Sequence, residues 1–231
     1  MTLDLHGFDF MSFDVYGTLI DWETGIIQAM RPTLQQYGVE WTDEQILLAF
    51  ARYETVAQQP PYLNYPDVLS QVLEEIFEEQ GIRPTPDDLV AFSGSVPDWP
   101  AFEDAAAALS ILKGQFRLAV VTNCDDALFA ASNHKLGVTF DIIVTAEQAR
   151  VYKPDLRPFE TLIDAIGGEK SRLVHVAQSL YHDHEPAKKL DLASIWINRG
   201  SARPGFGAAP AADARPDLEL PDLSALAALV E

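Results

Sequence analysis

The sequence predicts an α/β protein with a doubly wound parallel sheet and a helical cap inserted after the first strand. Two observations support this fold class. From about residue 100 onward, short apolar runs alternate with helical segments, which indicates crossover connections between parallel strands. Before that point, residues 21–98 place apolar side chains three and four positions apart, which is typical of amphipathic helices. We therefore expect a core at 1–20 and 100–231 and a cap at 21–99.

The first element is the apolar run FDFMSFDV at 8–15, closed by Tyr16-Gly17-Thr18. Such a run predicts a buried central strand that ends in a turn. Three amphipathic segments follow in the cap, at WETGIIQAMRPTLQQYGV, TDEQILLAFARYETVAQQ and YPDVLSQVLEEIFEEQG. Helix starts are expected at Thr42 or Asp43 and at Pro66-Asp67. The cap explains why roughly a hundred residues separate the first and second expected strands.

Strands and helices then alternate to the end of the chain. The expected order is helix FEDAAAALSILKG, strand FRLAVVTN, helix DALFAASNHKLG, strand FDIIVTA, helix LRPFETLIDAIG, strand RLVHVAQ, helix EPAKKLDL and strand ASIWIN. Residues 200–217 are rich in Gly, Ala and Pro, so we expect a loop there. A last short helix is expected at DLSALAALVE.

Composition and charge limit the partners and the location. The 48% hydrophobic and 22% charged residues are typical of a globular protein. The net charge of −19 would repel phosphate backbones, so we expect neither nucleic acid nor a membrane surface as a partner. No secretory signal and no membrane-spanning run is visible, which predicts a cytoplasmic protein. The single cysteine, Cys124, excludes an internal disulfide. The oligomeric state stays open, and a homodimer is the commonest soluble oligomer.

Polar side chains follow several of the expected strands. Ligands of doubly wound sheets bind beyond the carboxyl ends of the strands, near the point where strand order reverses. The groups at these ends are Asp14 and Thr18, then Thr122 and Asn123, then Lys153, and finally Gln178 and Asp183. An Asp before a turn is by itself usually a turn-former. A carboxylate nucleophile, however, needs donors to orient it and a cation to keep its pKa low. The combined set therefore predicts a nucleophile site.

These motifs resemble the haloacid dehalogenase (HAD) superfamily of hydrolases, and within it the L-2-haloacid dehalogenase-like branch. The resemblance rests on DVYGTL at 14–19, the VVTN ending in Thr122-Asn123, VYKPD around Lys153, the segment reaching Asp183, and SIWINR at 194–199. It implies a Rossmannoid core under a helical cap. It also implies that Asp14 is the nucleophile, that Thr18 and Thr122 orient it, that Lys153 pairs with it, and that Asp183 holds the lysine or the attacking water.

Tyr16 bears on the choice between two chemistries. Phosphatases of this superfamily place a second Asp at that position as a general acid, because an alkoxide leaving group needs a proton. Halide leaves without one, so Tyr16 favours displacement of halide from a small 2-haloacid through an ester that water then hydrolyses. No metal or cofactor is expected, since Lys153 supplies positive charge. The alternatives are a Mg²⁺-dependent phosphatase, hydrolysis of another small activated carboxylic acid, and a HAD-fold interaction module without activity.

Three residues are expected to contact this small carboxylic-acid substrate: Tyr16, Arg52 and Gln178. The dehalogenase branch typically carries an Arg in an early cap helix to bind halide, and Arg52 is the nearest candidate here. It also has a Tyr six residues past the motif lysine, where this chain has Phe159, and Ser-Ser-Asn in its fourth motif, where this chain has Gln178-Ser179-Leu180. These departures leave the substrate more open than the nucleophile.

Other polar and aromatic side chains have plainer explanations. His182 and His184 are two residues apart and do not share a helix face, so a helix start with Asp183 as its cap is favoured over a metal site. Cys124 is expected to be a small buried filler. Four cap and hinge aromatics are expected to pack in the core, with a substrate pocket as the alternative: Trp22, Tyr62, Tyr65 and Trp99.

Overall fold

Six parallel strands form the centre of the computed structural model, which describes residues 3–199 and 212–230. They are β1 (Phe10–Phe13), β2 (Arg117–Thr122), β3 (Ile142–Thr145), β4 (Leu173–Ala177), β5 (Ala193–Ile197) and β6 (Leu218–Leu220). Their spatial order is β3-β2-β1-β4-β5-β6. The chain moves from β1 to β2 and β3 and then returns to the other side of β1 with β4. The strand order therefore reverses between β1 and β4, where ligands of such sheets bind.

The register of the central strands brings their carboxyl ends to one edge. Phe13 of β1 is level with Val120 of β2 and Val176 of β4. Strands β1 and β4 are buried along their whole length, as expected for a parallel sheet covered on both faces. Residues that follow these strands therefore meet beyond the same edge of the sheet.

The first four α-helices after β1 form the expected helical cap. They are α1 (Trp22–Gln36), α2 (Asp43–Ala57), α3 (Tyr65–Glu79) and α4 (Pro86–Ser93). Thr42 caps α2 in a capping box with Gln45, which confirms the expected start. Helix α3 begins one residue earlier than expected because the Asn64 side chain accepts the backbone N–H of Asp67 and caps it.

Six further helices complete the described part of the chain. They are α5 (Ala105–Lys113), α6 (Asp126–Leu136), α7 (Ala146–Ala149), α8 (Arg157–Ala165), α9 (Glu185–Lys189) and α10 (Leu223–Ala227). One apolar cluster joins the cap, α5 and one face of the sheet. A second, smaller cluster lies under α8 on the other face and includes Val121, Phe159 and Leu162. Among the described residues, no helix combines the length and apolarity needed to cross a bilayer.

The structure differs from the sequence prediction in several places, and the short helices α4 and α7 are not among the predicted segments. Strand β1 ends at Phe13 and not at Val15, because the Val15 carbonyl accepts the N–H groups of the following turn. Strand β6 was not predicted, since three residues are too few to give a periodic signal. A π-helical turn over Leu180–His184 was also missed. The last short helix is confirmed as α10, and residues 200–211 of the expected loop lie outside the described residues.

Candidate active site

The turn after β1 places Asp14 and Thr18 against each other. Gly17 has a φ of +101°, a conformation that L-residues with a Cβ rarely adopt. The N–H groups of Leu19 and Ile20 bond to the Val15 carbonyl and close the turn. As a result, the Thr18 hydroxyl donates to Asp14 Oδ2 at 2.7 Å and accepts the backbone N–H of Gln178 at 3.0 Å. One oxygen of Asp14 is thus held by a hydroxyl.

Lys153 lies between two carboxylates at the point where strand order reverses. Its ammonium donates to Asp14 Oδ1 at 2.9 Å, to Asp183 Oδ1 at 2.7 Å and to the Val121 carbonyl at 2.8 Å. The Asn123 amide bonds to both the N–H and the carbonyl of Lys153, at 2.7 and 3.1 Å. Asn123 therefore fixes the lysine backbone, and all three ammonium protons are used within the protein.

Asp183 is held from its other side by a histidine that the sequence prediction missed. His175 Nε2 lies 3.0 Å from Asp183 Oδ1, and its Nδ1 lies 2.8 Å from the Ser12 hydroxyl. The signal in the sequence is a single polar residue inside the apolar strand RLVHVAQ. Asp183 Oδ2 is buried and has no partner among the described residues. The expectation that Asp183 caps a helix is wrong, because the Ser179 side chain caps this turn.

The charges of this cluster shift its pKa values in opposite directions. Burial raises the pKa of Asp14, and the neighbouring Asp183 charge adds to that effect while Lys153 opposes it. Burial also acts on Asp183, but Lys153 and His175 outweigh it and hold the pKa of that carboxyl below its usual range. Burial disfavours the Lys153 cation, yet the two carboxylates leave its pKa raised. Asp14 therefore takes up a proton before Asp183 does as the pH falls.

A small cavity of about 30 Å³ lies over this cluster. Its sheet side is lined by Asp14, Tyr16, Asn123, Lys153, Gln178, Ser179, His182 and Asp183, and its cap side by Trp22, Glu54, Gln58 and Tyr65. Burial lowers the pKa of His182 to about 4, so its imidazole is neutral at pH 7. Most of the residues predicted from sequence are thus brought together around one space.

Two predicted site residues are not placed as expected. The side chain of Arg52 is 63% exposed, pairs with Glu79 at 3.0 Å and lies over the ring of Tyr53, so it does not line the cavity. The Thr122 hydroxyl is buried and has no hydrogen-bond partner among the described residues. The expected contact between Thr122 and Asp14 is therefore not made, and Thr18 holds that carboxylate.

Tyr16 lines the cavity as an aromatic wall. Its hydroxyl lies 2.9 Å from the Ser132 hydroxyl and accepts from Cys124 Sγ at 3.3 Å. Burial, with the Cys124 interaction added, raises the pKa of Tyr16 well above its usual value. The phenol is therefore a poor proton donor. Cys124 is fully buried, as expected, and burial raises the pKa of its thiol to about 12.

Three other polar residues at or beside the site were also missed from the sequence. Glu54 and Gln58, on the cap helix α2, line the cavity. Glu54 occupies an apolar position in the spacing of Ile46, Phe50 and Ala57, and that position is the signal that could have revealed its burial. Arg199 donates two N–H groups to the Thr18 carbonyl, at 2.9 and 3.0 Å, and pairs with Asp104. Arg199 thereby fixes the turn that carries Thr18.

The four cap and hinge aromatic residues pack in or against the core, and two of them also line the cavity. Trp22, Tyr65 and Trp99 are buried in the core cluster, which confirms the packing expectation, and Trp22 and Tyr65 also line the cavity. Tyr62 donates to Asp125 at 2.8 Å, and the backbone N–H of Tyr65 donates to the same carboxylate at 2.9 Å. These bonds tie the start of α3 to the loop after β2.

The donor set does not fit a resident magnesium ion. Both carboxylates at the sheet edge are already paired with the Lys153 ammonium. Within 3–199 and 212–230, no group of three His, Cys, Asp or Glu side chains could hold a metal. The positive charge of this site comes from Lys153.

Comparison with known proteins defines the class as a hydrolase. The family of haloacid dehalogenase-like hydrolases matches residues 9–190. The chain belongs to this family.

Similar proteins confirm the resemblance to its L-2-haloacid dehalogenase branch. An (S)-2-haloacid dehalogenase 4A from Burkholderia cepacia is 23% identical over 210 residues, covering 86% of each chain. The structure of the L-2-haloacid dehalogenase PA0810 matches with a TM-score of 0.80 and 23% identity, over 96% of this chain and 98% of that one. The enzyme from Xanthobacter autotrophicus with covalently bound chloropropionic acid matches with a TM-score of 0.79 and 18% identity, over the same shares.

Proposed function

We propose that this hydrolase displaces halide from a small 2-haloacid. Asp14 attacks the carbon that bears the halogen, a carbon–oxygen bond forms, and the halide leaves with the bonding electrons. Thr18 and Lys153 each hold one oxygen of Asp14, and this fixes the carboxylate for attack. The similar (S)-2-haloacid dehalogenase from Burkholderia cepacia supports this substrate class.

Water then hydrolyses the ester at the carboxyl carbon of Asp14. Asp183 is the base we assign to this water. Its Oδ2 is buried and unpartnered in the described part of the chain, and its low pKa keeps it ionised at neutral pH. Lys153 and His175 hold its other oxygen and act as positioning residues. The products are the hydroxyacid and the regenerated Asp14 carboxylate.

The observation that carries the proposal is Tyr16, two residues after the nucleophile. A phosphatase needs an acid there to protonate an alkoxide, whereas the buried phenol of Tyr16 has a strongly raised pKa and cannot supply that proton. The single lysine charge also suits a substrate with one carboxylate better than a phosphate monoester. The residue at this position therefore favours displacement of a good leaving group over hydrolysis of a phosphate ester.

The substrate we propose is small, because the cavity holds about two or three water molecules. The side-chain amides of Gln58 and Gln178 line the cavity and are uncharged donors suited to its carboxylate. We further propose that residues 1–20 and 100–231 form the core domain and that residues 21–99 form the cap domain. The protein acts in the cytoplasm without nucleic-acid or membrane partners. Its proposed assembly is a homodimer.

A paired product assay tests the proposal. Purified protein is incubated with 2-haloacids and, in parallel, with phosphate monoesters, each with excess EDTA or with added Mg²⁺. We expect halide release that persists in EDTA and negligible phosphate release in either condition. Phosphate release that requires Mg²⁺, without any halide, would establish the phosphatase alternative. Release of a non-halide product from another small activated carboxylic acid would establish hydrolysis of that acid as the function.

A further inference from the structure

Glu54 is a buried carboxyl on the cap side of the cavity. It projects from α2, is 4% exposed, and lines the same space as Asp14. The Tyr65 hydroxyl donates to Glu54 Oε1 at 2.8 Å, and the described residues provide no partner for Oε2. One oxygen of Glu54 is therefore available to a molecule in the cavity.

No lysine or arginine in the described part of the chain pairs with Glu54. Lys153 is the only lysine or arginine among the described residues that line the cavity, and its three protons go to Asp14, Asp183 and the Val121 carbonyl. The titratable groups that face the cavity with Glu54 are Tyr65 on α3 and, from the sheet side, Asp14, Tyr16, Lys153, His182 and Asp183.

The protonation state of Glu54 follows from this environment. Burial raises the pKa of Glu54 to about 7, although the hydrogen bond from Tyr65 acts in the opposite direction. A buried carboxyl without a cation prefers its neutral form. Near neutral pH, a large share of the molecules therefore carry a proton on Glu54.

The direction of attack by Asp14 places the leaving group on the cap side of the substrate, where Glu54 lies. Asp14 approaches from the strand ends, and back-side displacement drives the leaving group away from the nucleophile, toward the cap. Resting on the proposed function, we propose that Glu54 is the acid that donates its proton to a departing fluoride. Its proton would extend the substrates to fluoroacids, whose fluoride leaves poorly without a donor.

The atoms balance over one cycle. With a fluoroacid, Asp14 forms a carbon–oxygen bond as the carbon–fluorine bond breaks, and the fluoride takes the Glu54 proton and leaves as hydrogen fluoride. Glu54 remains as a carboxylate. Water attacks the carboxyl carbon of the ester, its oxygen stays on Asp14, and the hydroxyacid leaves with one water proton carried by Asp183. The second proton is released as Asp14 ionises again, and it returns to Glu54. The net reaction consumes one water and needs no further reactant.

The test compares fluoroacetate with bromoacetate, which are achiral and differ only in the leaving group. In the unmodified protein, kcat/KM for fluoroacetate should fall as the pH rises through about 7, whereas bromoacetate should show a weaker decline. Glu54→Gln should lower fluoride release by about 100-fold and bromide release by less than about 3-fold. Glu44→Gln, the same change at an exposed position of α2, is the matched control and should alter neither.

Tyr65→Phe provides a second, independent readout. It removes the bond that stabilises ionised Glu54, so the alkaline limb of fluoride release should move to higher pH. An equal loss for both halides in Glu54→Gln, or an unmoved limb in Tyr65→Phe, would overturn the assignment. Bromide release without any fluoride release would overturn the inference and leave the proposed function standing. Release of neither halide would overturn both.

Discussion

At the scale of single residues, the site depends on one ammonium shared by two carboxylates. Lys153 is 2% exposed and bonds directly to Asp14 and Asp183. Because burial raises the pKa of Asp14, the lysine is the main influence that keeps this nucleophile ionised. Asp183 has a second donor in His175 and depends on the lysine less.

Lys153→Met should therefore affect Asp14 first. Removing the cation that lowers the Asp14 pKa raises that pKa further, and only the ionised carboxylate attacks. We expect the acid limb of the halide-release profile to move to higher pH and kcat to fall by about 100-fold or more. Halide release measured across pH checks both effects.

The control for this change is Lys189→Met, at a lysine whose side chain is 59% exposed and pairs only weakly with Glu185. Its pH profile should match that of the unmodified protein. Thermal melting of Lys153→Met separates loss of charge from loss of fold, since a single partner removed from a buried ion pair costs about 3–5 kcal/mol. An acid limb that stays in place in a folded Lys153→Met variant would remove the lysine from the mechanism.

At the scale of elements, the turn after β1 couples the sheet to the nucleophile. Gly17 allows the turn, and the Thr18 hydroxyl donates to Asp14 from it. Arg199 donates to the Thr18 carbonyl and fixes the turn. A Cβ on Gly17 would lie 3.2 Å from Trp22 Nε1 and 3.3 Å from Gln178 Oε1. The turn therefore has little room for any other residue.

Gly17→Ala should lower both stability and activity. The φ of +101° is strained for alanine and should cost about 1–3 kcal/mol, and the shift of Thr18 should reduce kcat. Gly38→Ala is the matched control, because Gly38 has a φ of +73° in open space at the end of α1. It should lose stability alone. Denaturant unfolding and halide release distinguish the two, and equal kcat values for both variants would contradict the role of the turn.

Local patterns predicted most of the elements. The expected segments at FRLAVVTN, RLVHVAQ and ASIWIN hold β2, β4 and β5, because buried parallel strands give continuous apolar runs. Strand β6 has only three residues and depends on pairing with β5, which no local pattern encodes.

Sequence patterns likewise predict some of the site residues and not others. Asp14, Thr18, Lys153 and Asp183 follow expected strands, so topology alone brought them together. Glu54 reaches the cavity only through the packing of the cap on the sheet, and Arg199 reaches Thr18 from 181 residues away. The family resemblance points to Arg52, but in the structure the Arg52 guanidinium pairs with Glu79.

At the scale of the whole molecule, a net charge of −19 opposes any anionic substrate. Salt screens this repulsion, since the Debye length falls from about 30 Å at 0.01 M to about 10 Å at 0.1 M. We expect the inhibition constant of propionate, a substrate analogue without halogen, to fall as potassium sulfate is added. Propionamide, its neutral counterpart, should bind with an unchanged constant. A propionate constant that rises with salt would show that a local positive field dominates.

The central claim is that Asp14 carries a covalent ester that water opens at the carboxyl carbon. A single turnover in water labelled with heavy oxygen, with enzyme in excess over bromoacetate, tests it directly. Mass spectrometry of the peptide that contains Asp14 should find one heavy oxygen on that carboxyl group, and the hydroxyacid product should carry none. Heavy oxygen in the product with an unlabelled Asp14 would mean that water attacks the substrate itself, and it would contradict the account.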